Sequence, residues 1–329
     1  MKTSRRKALV ALCAASLAVP LRAFAQQGSK PRRIGFLATY ASSANPEWPR
    51  AFKSGMRELG YVEERDYLVE YRFAGGDGGR LQALAAELIA LEVDLIVAPT
   101  TAAAVAAHSK SSKIPIVIVT AAVPIGAGLA ASLSRPGKNV TGLTGLGGEL
   151  QPKRLELMRD ILPRLQRAGD VHNPGVLVDR LLAQEFQSGA QRLGVTIVPV
   201  VVRSRSDIDA AFAKLKQDKV QAVFVSPTVV NLSLRENLVE HAAKHRIPAM
   251  YGSAEFVEKG GLISYSTNVV DHYRRAATYV DKIFKGANPA ELPIEQPTKF
   301  ELIVNTGTAK ALGVAIPRSI LLRADRVIE

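Results

Sequence analysis

Hydroxyl groups and tyrosines recur in this sequence wherever a short apolar run ends, and that recurrence is its strongest chemical signal. The segments are Thr39-Tyr40-Ala41-Ser42-Ser43, Thr100-Thr101, Thr120, Ser226-Pro227-Thr228, Tyr251-Gly252-Ser253 and Ser264-Tyr265-Ser266. Hydroxyls and backbone N–H groups at helix N-termini hold carboxylates and other anions. Tyrosine rings add apolar walls with a polar tip. Thr100-Thr101, directly ahead of Ala102 to Ala107, is such a place for an anionic group. Ser and Thr also cap helices without binding anything. Their presence in nearly every run-end loop shifts the balance toward a binding site with convergent polar groups.

Other chemistries find less support. His241 and His245 stand four apart, as a metal pair does, but Ala242 occupies the place of a metalloprotease glutamate and no third ligand follows. His108 ends an alanine-rich helix, where it offsets the C-terminal dipole. His172, just before Asn173-Pro174, is the histidine expected at a cleft rim. Gly126-Ala127-Gly128 echoes a dinucleotide fingerprint but lacks the strand-turn-helix setting. No phosphate loop or serine-nucleophile elbow occurs. Glu63-Glu64, Glu255 with Glu258, and Glu291 with Glu295 read as solvated acids. No metal, no cofactor and no catalytic residue is expected. The enzymatic alternative is an exported hydrolase pairing His172 with Ser226 or Ser264.

The elements that must position these loops follow from periodicity. Strands are predicted at Ile34 to Ala38, Leu68 to Phe73, Asp94 to Ala98 and Ile116 to Val119, with helices at Pro46 to Leu59, Arg80 to Leu91 and Thr101 to Ser109 between them. These runs lack polar alternation, as strands covered on both faces do. Gly142 to Gly148 breaks the pattern, and a second set follows. Helices are predicted at Lys153 to Leu162, Leu181 to Leu193, Ile208 to Gln217, Leu234 to His245 and Val270 to Phe284, with strands at Thr196 to Val202, Ala222 to Val225, Ala249 to Tyr251 and Leu262 to Tyr265. Phe300 to Val304 closes the strand set, and Thr308 to Leu312 is a last helix. The order predicts an α/β fold of two Rossmann-like, doubly wound lobes with a hinge and a cleft between them. Ligands of open α/β sheets bind beyond the carboxyl ends of the strands, which selects the loops named above.

Composition sets the compartment. Arg5, Arg6 and Lys7, the apolar run Ala8 to Val19 and Ala23-Phe24-Ala25 read as an export signal over 1–25, followed by a linker over 26–31. A plain secretory or a twin-arginine route both fit Ser4-Arg5-Arg6. The expected location is periplasmic. The net charge of +13 falls to +8 when the signal's five basic residues, Lys2, Arg5, Arg6, Lys7 and Arg22, leave with it. The surplus is spread out, without the aromatic-laced basic stripe of a nucleic-acid binder. The single cysteine, Cys13, lies in the signal, so disulfides and thiolate chemistry drop out of the expected mature chain.

The C-terminal third carries family-specific runs: Tyr251-Gly252, Gly260-Gly261-Leu262, Ser264-Tyr265, Arg274-Arg275-Ala276-Ala277 and, above all, Glu295-Gln-Pro-Thr-Lys-Phe-Glu-Leu302 before Asn305. Leu59-Gly60-Tyr61-Val62 and Leu133-Ser134-Arg135-Pro136-Gly137 agree with them. From about Arg33 to Glu329 the chain resembles the exported substrate-binding components of ABC transporters, in the branch with tryptophan- and tyrosine-binding members. The resemblance implies a type I periplasmic-binding fold, lobe one over 32–147 plus 267–303 and lobe two over 148–266 plus 304–329. It implies a small-molecule ligand, an ABC permease as membrane partner and a receptor acting as a monomer. The same fold without transport, as a sensing partner, is the other reading. Ligand contacts are expected from Thr39, Tyr40, Ser42, Thr100, Thr101, Thr120, Asn173, Ser226, Thr228, Tyr251, Gly252 and Ser264. Hinge positions are expected at Gly145, Gly147, Gly148, Ser266 and Asn305. Two departures stand out. Val123 replaces the family's usual acid before Pro124, and Ala168 to His172 is a polar, glycine-broken strand expected to distort one wall of the cleft.

Overall fold

Side-chain alternation along the first strand shows how one sheet serves two cores. In β1 (Arg32–Ala38), Ile34, Phe36 and Ala38 join one apolar cluster while Leu37 joins the other. With β2 (Tyr67–Phe73), β3 (Leu95–Ala98), β4 (Ile116–Ala121) and β5 (Val140–Thr144) it forms a five-stranded sheet in the order β2-β1-β3-β4-β5. Every neighbouring pair is parallel. Helices Leu81–Ala90 and Thr101–Lys110 cover one face. Helices Glu47–Glu58 and Val269–Phe284 cover the other. The structure, a computed structural model, describes residues 30–43, 46–145 and 150–329. The expected signal, most of the linker, Gly147 and Gly148 lie outside the described residues.

The second sheet has seven strands. β6 (Arg167–His172), β7 (Thr196–Val201), β8 (Ala222–Val225), β9 (Ala249–Tyr251), β10 (Ile263–Thr267), β11 (Phe300–Asn305) and β12 (Arg326–Ile328) are ordered β12-β11-β10-β9-β8-β6-β7. Strands β6 to β10 are mutually parallel, and β11 runs antiparallel to β10. Helices Leu150–Ile161 and Leu177–Arg192 cover one face, and Ile208–Gln217 and Arg235–Lys244 the other. The chain therefore carries two α/β domains, each a mostly parallel sheet packed on both faces.

The chain passes between the sheets three times: after β5, between β10 and helix Val269–Phe284, and again before β11. That helix docks on Glu47–Glu58 so closely that a Cβ on Gly55 would lie 2.2 Å from the Arg274 carbonyl oxygen. Only glycine fits there. Before the last crossing, Glu295 adds a bridge to the edge of β5, its N–H donating to the Gly142 carbonyl at 2.9 Å.

Four expectations change. Val140–Thr144 is a strand, although residues 142–144 fall within the expected break. β6 is undistorted: all six of its residues pair in register with β7. Gly169 permits this, because a Cβ there would meet Leu215 Cδ2 at 2.4 Å. Residues 300–303, expected in lobe one, form β11 of the second sheet, where Thr267 pairs with Phe300 and Ile263 with Val304. Phe300 is thus at the crossover end of β11. Asn305 is at the opposite end, capping helix Thr306–Leu312 through its side chain, so it cannot act as a hinge between the sheets. Among the described residues, no helix is long and apolar enough to cross a membrane.

Candidate functional site

Strand order marks one candidate crevice in each domain. In the first sheet the order reverses between β1 and β3, and in the second between β6 and β8. Ligands of such sheets sit outside the carboxyl ends at that reversal. Thr39 and Tyr40 follow β1 and Thr100-Thr101 follow β3. Asn173 follows β6, and Ser226 and Thr228 follow β8. Seven of the expected ligand residues thus fall at the two reversal points. The domains also touch nearby: a Cβ on Gly126, in the loop after β4, would lie 3.4 Å from Leu181 Cδ1 of helix Leu177–Arg192.

The first domain offers an aromatic wall. Tyr40 packs edge-on against Trp48 with ring centroids 5.0 Å apart, and Trp48 stacks on Tyr273 at 5.5 Å and 18°. The Tyr40 and Tyr273 hydroxyls are 3.1 Å apart. Burial pushes both phenols well above the ordinary tyrosine range, so they stay neutral donors and acceptors. Beside them, His272 donates from Nδ1 to the Val119 carbonyl at 3.0 Å, which leaves Nε2 a buried acceptor without a partner among the described residues. Burial lowers its pKa and keeps it neutral. Among the described residues the buried Thr39 hydroxyl is likewise unpartnered.

Three of the expected hydroxyl contacts of this domain have structural duties. Thr100 caps helix Thr101–Lys110, accepting from the Ala103 N–H at 3.3 Å. Thr101 accepts from the Ala122 N–H at 3.0 Å. Thr120 donates to the Pro99 carbonyl at 2.9 Å, and Ser42 is exposed in a turn. Gly145 leaves β5 with its N–H on the Ala121 carbonyl, and Ser266 lies one residue before β10 ends, so both flank crossovers.

The second domain offers charge. Arg154, on the first turns of helix Leu150–Ile161, is buried, and its Nε donates to the Tyr265 carbonyl at 2.8 Å. Gln151, one turn earlier, donates to the Ser226 hydroxyl at 2.9 Å. Asn231 donates to the Ser226 carbonyl at 3.0 Å. Asp179 accepts from the Asn173 N–H at 3.0 Å, while its other oxygen is buried and, among the described residues, without a partner. Asp170, inside β6, lies near it. Burial, reinforced by the Asp179 charge, raises Asp170 to about 7. Burial also raises Asp179, against the pull of Asn173 and Thr228. The result is a polar chain along the carboxyl ends of the second sheet, with a cation at one end and two reluctant acids at the other.

Two expected contacts turn inward. The Tyr251 ring sits in the domain core, stacked on Phe256 at 4.8 Å and 13°, because pleat alternation sends Met250 to one face and Tyr251 to the other. Ser264 is fully buried within β10. Gly252 contributes its carbonyl to Arg154, and a Cβ there would lie 2.3 Å from Pro227 Cδ. His172 has its Nδ1 3.7 Å from the Asp170 carboxylate and makes no hydrogen bond to Ser226 or Ser264 among the described residues. Its sequence-suggested dyad is not assembled. His241 instead bridges Asp209 and the Asn237 carbonyl. Trp48, Tyr273, His272, Arg154, Asp170 and Asp179 escaped the sequence reading. Trp48, the chain's one tryptophan, was the available signal.

Comparison with known proteins agrees with this geometry. The sequence profile of the family described as ABC transporter substrate binding protein matches residues 44–328. A tyrosine-binding protein of Clostridioides difficile is 22% identical over 283 residues, covering 86% of this chain and 81% of its own. An ABC domain from Streptococcus pneumonia in complex with L-Trp superposes with a TM-score of 0.84 at 25% identity, covering 91% of this chain and 100% of its own. A conserved domain protein from Vibrio cholerae gives 0.85 at 26% identity, with the same coverage.

Proposed function

We propose, for a chain that belongs to the family of ABC transporter substrate-binding proteins, that it is the exported solute receptor of an importer. It would bind a small organic solute, an amino acid or an aromatic carboxylate, between its two domains. Closure about the crossovers then presents a form that a membrane permease recognises. The receptor acts as a monomer in the periplasm and leaves the solute chemically unchanged. The observation that carries this reading is the pairing of an aromatic group, Tyr40-Trp48-Tyr273, with a buried polar chain at the strand ends of the other domain. The L-Trp complex and the tyrosine-binding relative support an aromatic solute.

A thermal-shift screen over amino acids, aromatic acids and nucleosides tests it. A true ligand at 100 times its Kd adds about 2.7 kcal/mol to stability by mass action. Mass spectrometry of the released ligand should find it unaltered. No shift with any compound, or recovery of a converted product, would contradict the reading.

A further inference from the structure

Arg154 is a buried cation whose partners are all neutral. Its relative exposure is 3%, and its guanidinium donates to the Tyr265 carbonyl at 2.8 Å and, over longer contacts of 3.4 Å, to Gln151 Oε1 and the Gly252 carbonyl. Among the described residues no carboxylate comes within 4.0 Å of it. Arg275 makes the contrast. It is less buried, yet it pairs with both Glu295 and Asp271. Burial lowers Arg154 only to about 10, so it stays charged in any physiological medium. An unpaired buried charge is among the costliest features a fold can retain. Its place explains the retention. Gly252 follows β9 and Tyr265 is the central residue of β10, while Gln151, which accepts from the guanidinium, donates to Ser226 just after β8, so Arg154 lies by the carboxyl end of β9 and is linked through Gln151 to that of β8. Its two Nη groups hold the long, weak contacts and are the ones free to turn to a better acceptor. Ser226 accepts from Gln151 and keeps its own O–H to donate.

We infer that Arg154 is the carboxylate-recognising residue of the cleft and that the solute supplies its missing counter-charge. This rests on the receptor reading and narrows it: the ligand is an organic acid or zwitterion, held at its carboxylate by a guanidinium fork with the Ser226 hydroxyl beside it. A sugar or a neutral nucleoside lacks the group this site requires.

The test uses matched pairs of acid and primary amide: L-tyrosine, L-tryptophan, phenylacetate and indole-3-acetate, each beside its amide. Binding to the full mature chain is measured by calorimetry. At least one acid should bind tenfold or more tighter than its amide. R154Q should bind that acid at least thirtyfold more weakly and bring the acid-to-amide ratio close to one. R154K, which keeps the charge but loses the fork, should fall between the two and serves if R154Q does not fold. Glu149 lies outside the described residues, so E149Q is included. It should keep the acid preference, and losing it would overturn the assignment. An R154Q protein that retains the wild-type acid-to-amide ratio would overturn it as well. If only uncharged solutes bind, the receptor reading survives and the Arg154 assignment falls. If nothing binds, both fall.

Discussion

The two domains share a topology but build opposite walls at their strand ends. In the first, Tyr40, Trp48 and Tyr273 form a ring cluster, and the hydroxyls around it cap helices and tie loops. In the second, Arg154, Asp170 and Asp179 are buried and poorly paired. The difference teaches how one cleft can divide recognition. On the proposed reading, apolar body and orientation would come from one side and charge from the other, where burial strengthens each electrostatic contact. Neither wall alone would distinguish an aromatic acid from an aromatic amide or an aliphatic acid.

The largest effect should come from removing the ring at the centre of the aromatic wall. W48A loses the stack on Tyr273 and the edge contact to Tyr40. Aromatic solutes found in the screen should bind about 100-fold more weakly by calorimetry, a loss of about 2.7 kcal/mol, as for a buried aromatic anchor. Aliphatic acids should be affected far less. Equal losses for both would break the division between the walls.

The next effect concerns the charged wall and reads out in stability. Asp170 is raised from 3.8 to about 7, chiefly by burial. The folded state therefore holds this proton more tightly than the unfolded one. Its penalty is absent below about pH 4, grows as pH rises toward 7 and is complete above that. D170N removes the charge, so it should be more stable than the parent by at least about 2 kcal/mol at pH 8 and nearly equal to it at pH 4. Denaturant melts at the two pH values decide this. A D170N protein less stable at pH 8 would mean that the charged carboxylate is paired after all.

The smallest effect sharpens the comparison at the first domain. T100A removes a helix cap and should cost about 1 kcal/mol of stability. Affinity for an acidic solute should change by less than threefold. A tenfold loss would give the first domain a share in anion recognition.

Much of this molecule was legible in its sequence, and the exceptions share a cause. The strands and helices followed from unbroken apolar runs and helical spacing, and strand-end loops rich in hydroxyls pointed to the reversal points. What escaped depends on long-range convergence or on pleat direction. Tyr273 meets Tyr40 and Trp48 only because helix Val269–Phe284 returns from the second sheet to the first. Arg154 and Asp179 lie on amphipathic helices, where spacing alone suggests solvated charges. Asp170 read as a defect in β6, yet the strand is regular and the acid simply buried. Tyr251 was expected at the wall from its loop position, but the pleat turns it onto Phe256.

Small-angle X-ray scattering on the mature chain, with and without a saturating hit from the screen, tests the central claim most directly. The radius of gyration should fall on binding, as two halves hinge shut around a solute. An identical scattering curve at full occupancy would contradict it.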